Sequence, residues 1–419
     1  MHLSPLLALA GLLTVGLLAT RLPRLPLSLP HSTSFEVLLA GGAPLVVAGL
    51  VLGPGIDLLR RPALDALAPV TALAVGWIGA TLGAAAEWRV VRRIPRCDWV
   101  LAGLSVGVTL VAVALSAWLL TRAVPALARA WTPRLPAILT LGAVAAISGP
   151  GAVALVARAA GVRRRVARRL VRAATLETAC GALAVAIPLA LHGVPAPAGR
   201  AALDVVSWGV LTLGSGVLVA LVFLSLTRET APADTGFALF ATFLFGAGIG
   251  WAARLSPFVV CMLAAALIVN RSPRPHAVRR ILAAWGRPLD AVLLVIAGAV
   301  LTLPTAWILV AVLAFLALRM AAGWATAHIG RLALRLPASP QGAGLGAIAQ
   351  GLTAIALGAN FLVLSGGAGS GTGGAMLTTI VLGVAAAQLV APPLMKLAPL
   401  TPAAAVPELS ANAPVEGPR

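Results

Sequence analysis

The sequence predicts an all-α protein that crosses a membrane about thirteen times, and three observations support this fold class. Hydrophobic residues make up 60% of the 419 residues, charged residues make up only 10%, and the mean hydropathy is +1.00. This composition is typical of a polytopic membrane protein and excludes an ordinary soluble domain. Apolar stretches of spanning length recur along the chain, and most basic residues lie in the short loops that follow alternate stretches.

Each predicted span is long enough to cross about 30 Å of hydrocarbon, or is shortened where glycine and proline interrupt a helix. The spans are 3–20, 35–53, 64–86, 99–121, 135–157, 170–191, 203–227, 235–253, 255–270, 287–303, 305–328, 342–364 and 372–395. Residues 1–400 therefore form one transmembrane domain. Residues 401–419 are rich in Pro, Ala and small polar residues and are predicted to be a disordered tail.

The distribution of Lys and Arg supports this number of spans and orients the chain. The loops after odd-numbered spans contain 23 of the 31 basic residues, the loops on the other side contain 7, and Arg319 lies within a span. The positive-inside rule then places the N-terminus outside and the C-terminus in the cytoplasm of a multi-pass protein in the cytoplasmic membrane. These loops also explain the formal charge of +19, so we expect the lipid bilayer and no nucleic acid as a partner.

Two charges lie deep within predicted spans, Glu177 in the sixth and Arg319 in the eleventh. A charge in a membrane span costs roughly 3 kcal/mol even on lenient scales, so such residues indicate a function and a partner. In the predicted orientation both lie on the cytoplasmic side of the midplane, Glu177 by about 6 Å and Arg319 by about 4 Å. We therefore expect them to pair in an ion pathway. The alternative is that Arg319 extends to the headgroups while Glu177 pairs with Arg172.

Two spans contain helix breaks. Gly149, Pro150 and Gly151 interrupt the fifth span, and Gln350 and Gly351 interrupt the twelfth. Unwound backbone at membrane depth is tolerated only where protein or a water-filled cavity covers it, and breaks at matching places in two halves point to the binding site of a transporter. Spans one to six and eight to thirteen are predicted to be inverted repeats, because an offset of seven spans makes the halves antiparallel. Small residues also occur in spans simply for close packing.

Other classes of site have little support in the sequence. Cys97, Cys180 and Cys261 are far apart and in no ligand spacing, so neither a disulfide framework nor a metal site is expected. A membrane enzyme generally needs paired acids or a metal or phosphate site, and the predicted external loops are short and nearly free of acids. We expect a transporter that is not an enzyme and has no cofactor.

Several motifs resemble those of the monovalent cation:proton antiporter family, which includes the sodium/proton exchangers and potassium efflux systems. Each motif is rich in Gly and Leu and weak alone, but their order over most of the chain is specific. They are PLVVAGLVLGPGIDLL at 44–59, VGWIGATLGAAAEWRVVRRIPR at 75–96, LSPFVVCMLAAALIVN at 255–270, RPLDAVLLVIAGAVLTL at 287–303, GLGAIAQGLTAIALG at 344–358 and AAAQLVAPPLMKLA at 385–398.

This resemblance implies a fold of thirteen helices in two inverted repeats with crossed broken helices, usually in a homodimer. A core domain, here about 99–191 and 305–395, would move against the remaining dimerisation or scaffold spans in an elevator-like cycle. The crossed breaks would be Ser148 to Gly151, which includes Gly149 and Pro150, and Gln350 to Thr353, which includes Gly351. Arg319 matches the basic residue that the family has in its eleventh span.

The main departure from the family lies in the sixth span. The family has an Asp-Asp or Asn-Asp pair there, and in this sequence Glu177 takes the first position and Thr178 the second. The second position normally carries the carboxylate that binds cation or proton in competition, and a threonine cannot exchange a proton at neutral pH. Either Glu177 has taken over the exchange of protons for Na⁺ or K⁺, or the homologue has lost or altered transport and Glu177 and Arg319 form a structural ion pair.

Overall fold

The computed structural model describes residues 33–397 except 57, 60, 133, 193–200, 228–234, 334–347 and 368–370, together with residues 11 and 14. Helices and connecting turns make up this part of the chain, and no β-strand occurs in it. The all-α fold class is therefore confirmed. The predicted first span and the predicted tail at 401–419 lie outside the described residues, apart from Gly11 and Thr14.

The helices are numbered here in chain order. They are α1 Thr33–Ala40, α2 Ala43–Leu50, α3 Arg61–Ala66, α4 Ala68–Ala85, α5 Trp88–Val91, α6 Arg96–Ala123, α7 Pro125–Ala130, α8 Arg134–Ala145, α9 Pro150–Ala159, α10 Arg164–His192, α11 Ala201–Leu226, α12 Thr235–Ala252, α13 Pro257–Arg271, α14 Pro275–Ala299, α15 Trp307–Ala333, α16 Leu352–Leu364 and α17 Gly371–Leu397. A π-helical turn, Val51–Gly55, continues α2.

Seven of the described helices are long and apolar enough to cross a membrane, and the number rises to nine when each of two bent pairs counts as one span. The bent pairs are α1 with α2 and its π-helical turn, and α8 with α9. Two predicted spans, the ninth and the twelfth, fall outside this count because their helices are short. Helices α13 and α16 have only 15 and 13 residues. The chain is a multi-pass membrane protein.

The helices pack in two groups. In the crossing group, α6 packs against α8, α10 and α15, and α17 packs against α1, α9, α15 and α16. In the flanking group, α4 packs against α12, α13 and α14, while α2 contacts α14 and α11 contacts α13. Helix α16 joins the groups, because it also contacts α4, α13 and α14. The broken helices thus lie within one bundle that meets the other bundle mainly through α16.

Glycines allow the closest packing in the flanking group, between α4 and α13. A Cβ atom on Gly79 would lie 2.2 Å from the backbone oxygen of Phe258, and one on Gly83 would lie 2.0 Å from that of Met262. Small residues of this kind let membrane helices approach closely and gain dispersion energy where there is little hydrophobic driving force between them. The same helix α4 is buried along most of its length, so it forms the centre of the flanking group.

Two features of the helices differ from the sequence analysis. The predicted tenth span begins at 287, whereas α14 begins at Pro275, because an amphipathic stretch buries Val278 and Leu282 and extends the helix toward its N-terminus. The second span, predicted as continuous, bends by 66° between α1 and α2. Gly42 at this bend has a φ of 95°, a left-handed conformation that glycine adopts without steric cost.

Candidate functional site

The breaks in the fifth and twelfth spans contact each other through their backbones. Helix α8 ends at Ala145 and α9 begins at Pro150, with a bend of 42° between them, and α16 begins at Leu352. The N–H of Gly149 donates to the carbonyl oxygen of Ala349 over 3.1 Å. A Cβ atom on Gly149 would lie 2.4 Å from the nitrogen of Gly351. The two extended segments therefore cross at a point where a side chain cannot be accommodated.

Glu177 of α10 lies beside this crossing, where its carboxylate accepts a hydrogen bond from the hydroxyl of Ser148. The same hydroxyl oxygen accepts a hydrogen bond of 3.0 Å from Nη2 of Arg319 on α15. Ser148 is 1% exposed and Arg319 is 5% exposed. The two charges predicted to pair are therefore joined through one buried hydroxyl group, with each of them hydrogen-bonded to it.

Arg319 also binds the second break, because its Nε donates to the carbonyl oxygen of Ile348 over 3.1 Å. A guanidinium group offers several donors in a fixed plane, so one side chain can hold both breaks at once. This inward arrangement contradicts the alternative in which Arg319 extends to the headgroups and Glu177 pairs with Arg172. The side chain of Arg172 is exposed.

Thr178 is fully buried one residue after Glu177. Its hydroxyl lies within hydrogen-bonding reach of the carbonyl oxygen of Ser148 and, over 2.7 Å, of the carbonyl oxygen of Ala174 one turn back in α10. A hydroxyl has one hydrogen, so it can serve only one of these oxygens at a time. When it serves Ala174, the hydroxyl oxygen and the Ser148 carbonyl oxygen face each other, both able to accept from a donor or to bind a cation.

Gln350 makes its contacts with backbone rather than with Glu177. Its Nε2 donates to the carbonyl oxygen of Val144 over 2.8 Å and lies within 3.3 Å of that of Ile147, at the C-terminal end of α8. The last carbonyl groups of a helix have no partner within the helix and need one elsewhere. Gln388 of α17 donates in turn to the backbone oxygen of Gln350 over 3.2 Å. Gln350 thus stabilises the broken end of α8 and holds the crossing segments together.

Most of the predicted site residues gather at the crossing, and two lie at its margin. Pro150 is the first residue of α9, where it needs no hydrogen-bond partner for its nitrogen. Thr353 lies in the first turn of α16 and is partly buried. Within the described residues its side chain makes no hydrogen bond. The residues that contact one another through hydrogen bonds or close backbone approach are Ser148, Gly149, Glu177, Thr178, Arg319, Gln350 and Gly351.

The sequence analysis did not identify Ser105. Its side chain on α6 lies close to the Glu177 carboxylate. Nothing in the sequence distinguishes this serine from the others in the apolar spans, because its partner lies more than 70 positions away in the chain. The carboxylate therefore lies near two hydroxyl groups, that of Ser148 in the break and that of Ser105 on α6.

Another acid lies in the interior of a long helix. Asp290 is in α14 and is partly buried. Helix α14 belongs to the flanking group, away from the crossing. Asp290 is therefore a second carboxylate within a membrane helix. Its substitution provides a control for substitutions of Glu177.

The described residues contain no group of three or more His, Cys, Asp or Glu side chains that could hold a metal ion. The oxygen atoms around Glu177 come instead from one carboxylate, hydroxyl groups and backbone carbonyl groups. Such oxygens suit hard cations, whereas soft transition metals prefer sulfur and nitrogen ligands.

Comparisons with known proteins support the fold. No protein-family model matches the chain, and no curated protein matches it in sequence. Among solved structures it is similar to that of the sodium proton antiporter MjNhaP1 from Methanocaldococcus jannaschii at pH 8, with a TM-score of 0.66 and 13% sequence identity. The match covers 95% of this chain and 98% of the other. The chain thus has a fold like that of a sodium/proton antiporter over nearly its whole length.

Proposed function

We propose that this protein is a secondary active transporter that exchanges protons for a monovalent cation, Na⁺ or K⁺, across the cytoplasmic membrane. The observation that carries the proposal is the position of Glu177, a titratable carboxylate held by Ser148 beside the crossing of two broken helices. A group that alternates between proton and cation must be able to bind either one, and among the residues at this crossing only Glu177 can do so.

The cation would bind to oxygen atoms around Glu177. Its carboxylate would supply the negative charge, and the Thr178 hydroxyl and the Ser148 carbonyl oxygen would complete part of the coordination shell. Thr178 therefore keeps a cation ligand at the position where related transporters carry an acid. The proton, by contrast, can bind only to the Glu177 carboxylate. The proton-exchanging group is therefore one residue closer to the N-terminus of α10 than the acid of related transporters, which corresponds to Thr178.

Arg319 would balance the charge of Glu177 when neither ion is bound. An uncompensated carboxylate at membrane depth is costly, and a hydrogen-bonded cation nearby lowers that cost. The N-termini of α9 and α16 also meet at the crossing and contribute partial positive charge. A bound cation would then take over from Arg319 and the helix ends in balancing the negative charge of Glu177.

Transport would follow an elevator-type cycle. The crossing group, which carries Glu177 and Arg319, would move against the flanking group, which would also form a homodimer through its exposed apolar surface. Helix α11 presents such a surface, with Val210, Leu213 and Leu221 all more than half exposed. In this proposal α16 is the sliding contact, because it packs against helices of both groups.

A second candidate is a transport-altered or inactive homologue in which Glu177 and Arg319 form a permanent structural pair. The observation that favours it is the Ser148 hydroxyl, which already satisfies both charges. A buried pair of this kind is strongly destabilised when one partner is removed, by about 3–5 kcal/mol. Loss of Glu177 would then reduce the stability of the protein rather than a transport rate.

The test is proton flux in proteoliposomes that contain a pH-sensitive dye, with Na⁺, K⁺ or Li⁺ added to the outside. Wild type should show cation-driven proton movement, and Glu177→Gln should lose it by a factor of roughly 10² or more, as expected when a proton-transferring group is removed. Asp290→Asn is the matched control, because it also converts a carboxylate within an apolar helix to an amide. It should retain most of the flux.

Size-exclusion chromatography and melting temperatures of each variant separate lost transport from lost folding. If proton flux survives in Glu177→Gln but disappears in Asp290→Asn, the proton-binding carboxylate is Asp290 on α14 and not Glu177. Absence of flux in folded, reconstituted wild type with every cation would favour the structural pair.

A further inference from the structure

A cavity lies between α9 and the start of α10. It has a volume of about 900 Å³ and is partly open to the surroundings. Three arginines line it, and the remaining lining residues are small and apolar, among them Ala154, Val162 and Val171. Arg158 comes from α9, whereas Arg164 and Arg168 come from α10.

The lining residues form one face of each helix. On α9, Ala154 and Arg158 are four residues apart, and on α10, Arg164, Arg168 and Val171 follow the spacing of a single helical face. Helix α9 leads away from the crossing and α10 returns toward it, so the three arginines lie at the same end of the groove. The apolar residues Ala154 and Val171 lie farther toward the crossing. The groove is therefore cationic at one end and apolar at the other.

Among the described residues, the arginines of this groove have no acidic partners. The segment from Arg158 to Arg172 contains seven arginines and no acid. In the part of the chain that the structure describes, none of these seven forms an ion pair with a carboxylate. Arg279 behaves differently, since its Nη2 lies 2.8 Å from Oε2 of Glu87. The groove thus concentrates uncompensated positive charge around a space large enough for a ligand.

We propose that this groove binds an anionic phospholipid, with its phosphate between Arg158, Arg164 and Arg168 and the upper part of an acyl chain along the apolar end. Guanidinium groups bind phosphate through paired charge-assisted hydrogen bonds, which favours arginine at such sites. A free phosphate ion would use the arginines but not the apolar end. A basic cluster next to membrane-spanning helices attracts anionic lipid.

The location connects the groove to the crossing. Helix α9 begins at the break, and Val171 lies six residues before Glu177 in α10, which is about 9 Å along the helix axis. A lipid that bridges α9 and α10 would therefore hold the two helices that carry Ser148–Pro150 and Glu177 at a fixed separation. Lipid binding itself does not depend on whether the protein exchanges ions.

The test uses the purified full-length chain after removal of lipid in detergent. Phosphatidylglycerol is titrated and binding is followed by native mass spectrometry and by the rise in melting temperature. Phosphatidylcholine with the same acyl chains, glycerol 3-phosphate and inorganic phosphate are separate arms. We expect binding and stabilisation with phosphatidylglycerol, and little of either with the other three probes.

The variants compare two sets of arginines from the same basic segment. Arg158→Gln/Arg164→Gln/Arg168→Gln removes the arginines that line the groove, and Arg163→Gln/Arg165→Gln/Arg169→Gln removes three that do not. The first set should weaken phosphatidylglycerol binding by at least about tenfold relative to the second, because charge-assisted contacts are lost only there. If the first triple variant does not fold, Arg168→Gln and Arg169→Gln provide the same comparison with single changes.

Equal losses in both sets would overturn the proposal, because they would show attraction by net charge and no defined site. Equal binding of phosphatidylcholine would also overturn it. Stabilisation by inorganic phosphate as large as that by phosphatidylglycerol would mean that the groove binds a soluble anion instead of a lipid.

Discussion

Ser148 is the residue on which the geometry of the site depends. Its hydroxyl donates to the Glu177 carboxylate and accepts from Arg319, while its carbonyl oxygen faces the Thr178 hydroxyl. A serine hydroxyl has one hydrogen and two lone pairs, so it can serve both charged groups at once. Both charges therefore depend on a residue of the break itself, and a shift of the break changes their surroundings together.

Thr178→Val tests the proposed cation ligand at the residue scale. Valine has nearly the shape of threonine, so the change removes the hydroxyl oxygen with little change in packing. We expect the apparent KM for Na⁺ or K⁺ to rise by about tenfold, the effect of losing a binding interaction worth roughly 1.4 kcal/mol. Flux measured over a range of cation concentrations gives this value.

Thr175→Val is the control, because the Thr175 hydroxyl bonds only to the Val171 carbonyl oxygen of its own helix, over 2.8 Å. Its KM should stay close to that of wild type. If the two valine variants have the same KM, or if neither changes it, the Thr178 hydroxyl is not a cation ligand.

Sequence reasoning identified the two charges because an ionisable residue in an apolar span is rare and costly. It could not identify Ser105 or the contacts of Gln350, because the partners of these side chains lie on other elements of the fold. The sequence also does not predict that Arg319, Ser148 and Glu177 follow one another in a chain of hydrogen bonds. That order depends on the distances between two helices and the break.

Among the elements, the paired breaks determine where the charges meet. Helix α9 and helix α16 both begin at the crossing, and their extended leading segments share the hydrogen bond from Gly149 to Ala349. Irregular backbone at membrane depth has to find hydrogen-bond partners within the protein. The crossing supplies these partners from backbone, from Gln350 and from Arg319.

Gly149→Ala tests the crossing, because its Cβ atom would lie 2.4 Å from the nitrogen of Gly351. Relief of such a contact requires the backbone to shift, and overpacking of this kind costs about 1–3 kcal/mol. We expect a lower melting temperature in detergent and a slower flux. Gly151→Ala is the matched control, since a Cβ atom there meets nothing within 4 Å.

Gly151 lies in the first turn of α9, where alanine is favoured over glycine by up to about 1 kcal/mol. Its variant should melt at or slightly above the wild-type temperature. A Gly149→Ala protein as stable and as active as Gly151→Ala would show that the backbones of the two breaks do not approach as closely as described.

The sequence predicted both breaks from their glycine and proline content, but it missed the bend between α1 and α2 and the early start of α14. The bend has the same residue types, with Gly41, Gly42 and Pro44 together, but glycine and proline are also common in continuous membrane helices, so composition alone does not predict it. The start of α14 was missed because its first turns are amphipathic and carry arginines, which resemble a loop when only hydropathy is considered.

At the scale of the whole molecule, Asn360 connects the two groups of helices. Its Oδ1 on α16 accepts hydrogen bonds from the Ser256 hydroxyl over 3.2 Å and from the backbone N–H of Phe258 over 3.4 Å. Ser256 caps the N-terminus of α13 in the flanking group. Movement of the crossing group against the flanking group would have to break these bonds. The distance between Asn360 and Ser256 would therefore report the proposed motion.

Cross-linking tests this motion. In a background without Cys97, Cys180 and Cys261, a short bifunctional thiol reagent that joins Ser256→Cys to Asn360→Cys should stop flux, and reduction should restore it. The control joins Glu87→Cys to Arg279→Cys, a native ion pair whose two residues both belong to the flanking part of the molecule. Flux that continues with Ser256→Cys and Asn360→Cys joined would contradict an elevator-type cycle.

The all-α class and the positions of most apolar spans were predictable because the hydrophobic requirement of each membrane span acts locally along the chain. The division into two groups was not predictable from the residues alone, because it depends on which helix faces meet. In particular, the contacts of α16 with both groups arise from a helix of 13 mostly apolar residues, and its sequence shows no clear polar face.

The most direct test of the central claim is whether cation binding displaces a proton from Glu177. Purified wild-type protein in weakly buffered detergent solution should release protons when Na⁺ or K⁺ is added. The same concentration of a salt with a large organic cation should release none. Glu177→Gln should release no proton under any of these conditions, while Asp290→Asn should behave like wild type. Proton release that persists unchanged in Glu177→Gln, or cation binding by wild type without proton release, would contradict the account.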